Sequence, residues 1–107
     1  MTQAMALPLV DMEAKAEEAS RVLTAMANPK RLLVLCNLLE GEKSVGALAE
    51  AVGLAQAALS QHLGKMRALG LVETRRDGQT IYYRLASAEV RAILETLYRL
   101  YCAPDCG

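Results

Sequence analysis

Between Ser44 and Leu85 the spacing of apolar residues changes twice, and the places where it changes allow few folds. Helical three- and four-residue steps run to Ala51, break at Val52-Gly53-Leu54, resume from Gln56 to Ala68 and stop at Gly70. From Leu71 to Arg76, and again from Thr80 to Leu85, apolar and polar residues alternate on either side of Asp77-Gly78. Two short helices joined by a glycine-containing turn form a helix-turn-helix over 44–68, with Ser44 able to cap the first of them. An Asp-Gly pair between alternating segments is a strong hairpin signal, so 71–85 is expected to form a two-stranded wing. Within 56–68, Leu59, Leu63 and Met66 fall at i, i+4 and i+7 and face a core. That phase leaves Gln56, Ser60, Gln61, Lys65 and Arg67 on the outside.

The flanks are helical. Met12, Ala16, Ala19, Val22, Leu23 and Met26 line one face of an amphipathic helix over 11–26. Asn28 followed by Pro29 starts a second helix, because the asparagine oxygen can accept an orphan amide and proline lacks the one that would be wasted. This helix runs to about Leu39, and its apolar set of Leu32, Leu33, Leu35, Cys36 and Leu39 is nearly continuous, so most of its circumference should be covered. Ser87 caps a last helix reaching 102, with Val90, Ile93, Leu94, Leu97, Leu100 and Tyr101 on one side. The order ααααββα, with no repeat or linker, describes one mainly α (α+β) domain over 1–107, a winged helix-turn-helix. The helices at 11–26 and 87–102 carry more apolar surface than a core of this size absorbs, which makes them the expected interface of a homodimer.

Several function classes are excluded. One histidine, no glycine-rich phosphate loop and no carboxylate pair near that histidine leave nothing from which to build a catalytic site, and no cofactor is expected. No segment reaches the roughly 20 apolar residues of a spanning helix, and MTQAMALPLV has no basic residue ahead of its short apolar run. A cytoplasmic location without a membrane partner follows as the expectation. Three cysteines, an odd number, argue against a permanent disulfide framework. The net charge is zero, yet residues 55–84 hold five Lys/Arg against two Asp/Glu. Phosphate contacts draw on such local density rather than on the total.

Reading DNA needs short amide, hydroxyl and basic side chains on one helix face, and Gln56, Ser60, Gln61, His62 and Lys65 supply them. Arg75, Arg76 and Gln79 on the wing suit phosphates or a narrow minor groove. Polar outer faces are also the ordinary condition of solvated helices, and a lone histidine beside Leu63 is more often a packing or phosphate-contacting residue than a metal ligand. The segments AMANPKRLLVLC, SVGALAEAVGLAQAALSQHLGKMRALGLV and TRRDGQTIYYRL resemble the ArsR/SmtB family of winged-helix repressors from Ala25 to Cys102. That resemblance implies double-stranded operator DNA as a partner, with Gln56, Ser60, Gln61, His62 and Lys65 on the recognition helix and Arg75 and Arg76 on the wing.

Metal-sensing members of that family carry a Cys-x-Cys pair before the recognition helix, or Asp/His and His/Glu ligands on the last helix. Here the third helix, VGALAEA, has neither thiol nor imidazole, and the last offers Glu89 and Glu95 without histidine, so no metal site is expected. Cys36 within LCNLLEG and Cys102 within LYRLYC instead resemble the thiols of the subgroup that responds to reactive sulfur or oxidants. The resemblance implies that this pair forms a disulfide or polysulfide bridge. Cys106 is a bystander by default, although a three-thiolate site for a soft ion made with Cys36 and Cys102 stays open as an alternative.

Overall fold

The computed structural model describes residues 9–102, with side chains from Met12 onward; Cys106 lies outside the described residues. Its elements are α1 (Leu9–Met26), α2 (Pro29–Leu39), β1 (Lys43–Ser44), α3 (Val45–Val52), α4 (Gln56–Ala68), β2 (Val72–Asp77), β3 (Thr80–Leu85) and α5 (Ala88–Tyr101). The order ααααββα therefore stands with one addition, the strand β1. It pairs antiparallel with β3 through Lys43↔Tyr83 and Ser44↔Tyr82, making a sheet in the order β1-β3-β2. Two residues are too few to show a period, and Ser44 was legible only in its other role, accepting from the Ala47 amide at 3.1 Å as the cap of α3.

Local chemistry explains most boundaries. The Asn28 side chain accepts from the amides of Lys30 (3.0 Å) and Arg31 (3.1 Å), and Pro29 follows as the first helical residue. Gly53 closes α3 in the left-handed region, at φ 70°, where a side chain would be strained. The hairpin turns one residue later than Asp77-Gly78 suggested. Asp77 still pairs with Thr80, so Gly78 and Gln79 form the two-residue loop, with Gly78 supplying the positive φ of 65° at its first position.

The core is a single cluster in which Val34, Leu35, Leu48, Leu59, Leu63, Met66, Val90 and Leu94 have no exposed surface. It joins α2 with α3, α4, α5 and the sheet, and among the described residues no polar or charged side chain is buried in it. The first helix stands apart. Residues 12–21 are all exposed; α1 contributes Ala25 and Met26 to the core, with Val22 half-buried against it. The radius of gyration, 15.8 Å, exceeds the roughly 13 Å of a compact domain of this length, as a projecting helix requires.

Candidate nucleic-acid interface and thiol pair

α4 places its polar residues as its period demands. With Leu59, Leu63 and Met66 buried, Gln56, Ser60, Gln61 and Lys65 are exposed, and His62 is half-buried at the edge of the same face. His62 is not simply solvated, because its Nδ1 accepts a hydrogen bond of 3.1 Å from Nε of Arg31 in the first turn of α2. Next to it, Lys30 Nζ donates to the carbonyl of Val52 at the end of α3, at 3.2 Å. Thus the first turn of α2 grips both helices of the helix-turn-helix. Cations in a helix's first turn oppose its dipole, and this mismatch is the signal by which Lys30 and Arg31 could have been singled out from sequence.

The two wing arginines differ. Arg76 is exposed and enters no ion pair or hydrogen bond among the described residues. Arg75 is committed to Glu42, in the loop after α2, through three contacts of 2.7–3.2 Å between Nε and Nη2 and the two carboxylate oxygens. Its guanidinium also lies 4.8 Å from the Tyr82 ring centre, a cation–π distance, with Tyr82 its partner across the hairpin. The Arg75 hydrogen bonds hold the Glu42 carboxyl below its ordinary pKa. Glu42 was missed in the sequence because it pairs with a residue 33 positions away.

Cys36 and Cys102 come together at the contact of α2 and α5. Both are free and half-buried, Cys36 packing against the core and Cys102 ending α5, where its amide donates to the Tyr98 carbonyl at 2.8 Å. A cleft of about 410 Å³ opens beside Cys36, lined by Cys36, Asn37, Leu39, Glu40 and Tyr98. Burial pushes the Cys36 thiol above its ordinary pKa, and the negative charge that Cys102 can carry nearby pushes it further. The rate of iodoacetamide labelling at Cys36, followed by peptide mapping, is therefore expected to reach half its maximum at a higher pH than the roughly 8.5 of an unshifted thiol. Among the described residues no group of three or more His, Cys, Asp or Glu is placed to hold a metal ion, and no helix is long and apolar enough to cross a membrane.

Comparison with known proteins agrees with this geometry. Residues 28–74 match the model of the bacterial regulatory protein arsR family. The transcriptional activator HlyU of Vibrio cholerae is 51% identical over 94 residues, which make up 88% of this chain and 87% of that protein. A biofilm growth-associated repressor of Xylella fastidiosa is 43% identical over 95 residues, covering 89% of this chain and 83% of the relative. The structure of reduced HlyU from Vibrio cholerae superposes with a TM-score of 0.84 at 50% identity, over 87% of this chain and 98% of that one. A homodimeric winged helix-turn-helix DNA-binding domain from Mycobacterium bovis gives 0.75 at 33% identity, over 90% and 88%. With the helix-turn-helix, the wing and these relatives in agreement, the chain belongs to the ArsR family of bacterial regulatory proteins and is a DNA-binding transcriptional regulator.

Proposed function

We propose that this regulator is a homodimeric repressor, paired through α1 and α5, that releases its operator when Cys36 and Cys102 are joined by a disulfide or polysulfide bridge. The observation that carries the reading is the pair itself: two free, half-buried thiols on the contacting helices α2 and α5, with Cys102 close enough to bear on the ionisation of Cys36, and Cys36 open to a cleft that admits a small reagent. The homodimeric neighbour and the exposed α1 support the assembly, and a neighbour solved in a reduced form supports the redox reading. Gln56, Ser60, Gln61, His62 and Lys65 would enter the major groove, with Arg76 on a phosphate; Arg75 would join it only by exchanging Glu42 for DNA.

The chemistry closes on two electrons. One cysteine thiolate attacks the sulfane sulfur of a persulfide, RSSH, and the donor leaves as its thiol. The second thiolate attacks the protein-bound sulfur of the new cysteine persulfide and expels hydrosulfide. Two thiols and RSSH thus yield a disulfide, RSH and hydrogen sulfide; a second RSSH that first converts the other cysteine to a persulfide, leaving as RSH, lets that persulfide's outer sulfur make the attack, so that hydrosulfide is again expelled and the bridge is one sulfur longer.

Operator binding measured at fixed salt, with and without a persulfide donor and alongside intact mass, tests this reading. Treatment is expected to weaken binding by about 5- to 150-fold, the range of ordinary allosteric coupling. Cys36→Ser and Cys102→Ser should each abolish the response while Cys106→Ser keeps it. A response that survives both of the first two substitutions refutes the bridge, and release by a thiophilic metal ion alone would move the assignment to a metal-responsive regulator.

A further inference from the structure

We infer that Arg31 is a positioning residue for DNA recognition, which holds His62 in the tautomer that carries its proton on Nε2 and so makes the imidazole a directed hydrogen-bond donor to DNA. The inference rests on the reading of α4 as the DNA-facing helix. A guanidinium has five N–H donors and no acceptor, so the 3.1 Å contact from Arg31 Nε requires a lone pair on His62 Nδ1. The ring proton is then on Nε2, and no other described residue engages that atom.

The clamp is fixed at three points. Arg31 Nη1 donates to the carbonyl of Ala25 at the end of α1 at 3.3 Å, its own amide donates to the Asn28 cap at 3.1 Å, and Nε reaches α4. Arg31 is therefore half-buried between three helices, and its placement in a helix's first turn, against the dipole, is offset by what it holds. Ser60, Gln61 and Lys65 surround His62 on α4 and are exposed, so a donor locked in direction at this position meets the same ligand that they meet. The fitting partner is an acceptor atom on DNA, either a phosphate oxygen or the N7/O6 edge of guanine.

The chain has one histidine, so 15N spectra of the imidazole report on it without assignment. In the free protein the wild type is expected to show a single Nε2–H tautomer, Arg31→Met a mixture with Nδ1–H, and Arg31→Lys the wild-type form. Operator affinity should fall about fivefold per protomer in Arg31→Met, or about 25-fold for a symmetric dimer, with the salt dependence unchanged. His62→Gln, whose amide nitrogen occupies the place of Nε2, should retain affinity and render Arg31→Met silent. His62→Ala separates the two acceptors, since losing a phosphate contact weakens all DNA evenly and losing a guanine contact weakens only the operator. An unaltered tautomer in Arg31→Met, a salt slope that falls by about one per arginine, or an equal loss in the His62→Gln background would each overturn the proposal. If Gln61→Ala and Lys65→Ala also leave DNA affinity untouched, it is the DNA-facing assignment of α4 that has failed.

Discussion

Leu23→Glu is expected to convert the dimer to a monomer and to lower operator affinity by about 100- to 10,000-fold. Leu23 is 52% exposed on a helix whose residues 12–21 touch little else in the chain, and Met12, Ala16 and Ala19 continue its stripe. A carboxylate there costs the isolated protomer little, because water already reaches the site. In a paired α1/α5 interface, the same charge would be buried without a partner. Losing the second protomer removes the second half-site contact, and with it the effective-concentration gain of two linked binding modules. Sedimentation would show the mass falling to the single-chain 11.6 kDa, and a DNA titration would show the loss of affinity. A variant that stays dimeric and binds normally places the interface elsewhere.

Leu63→Ala should reduce folding stability by about 3 kcal/mol and the melting temperature by roughly 15 °C. Leu63 has no exposed surface and lies where α4 meets the core, so truncation leaves a cavity that the neighbouring Leu59 and Met66 cannot close without moving. Two residues away on the same helix, Gln61→Ala removes only exposed surface and is expected to leave the melting temperature within about 2 °C while weakening DNA binding. Thermal denaturation and DNA titration of the two variants together separate the inward face of α4 from its outward face. Equal melting temperatures would mean that α4 does not pack by the period assigned to it.

The same contacts indicate how a bridge between α2 and α5 could reach DNA. Cys36 sits toward the end of α2, while Lys30 and Arg31 at its start hold α3 and α4 at 3.2 and 3.1 Å. Beyond Cys36, the loop after α2 carries Glu42, which holds Arg75 on the wing, and β1, which pairs with β3. A rigid helix with the thiol at one end and both reading elements attached to it passes any tilt directly to them. No long relay of side chains is required.

How much of this was legible in the chain depended on the range of the interaction. The boundaries of α4, the caps at Asn28, Ser44 and Ser87, and the hairpin depend on residues within a few positions of one another, and the local pattern reached all of them. The one-residue displacement of the turn came from competition between Asp77-Gly78 and Gly78-Gln79, which the pairing of Asp77 with Thr80 decided. Cys36 and Cys102 could be paired only through a family resemblance, since 65 intervening residues carry no signal of their meeting. The amino-acid sequence by itself determined which segments are helix and strand, and which face of each is apolar, because periodicity and capping act over one or two turns. Only the tertiary structure decided that β1 completes the sheet, that Glu42 occupies Arg75, that Arg31 orients His62 and that α1 projects from the body. Each of those depends on side chains brought together from distant parts of the chain by burial of the core, and no local spacing encodes such a meeting.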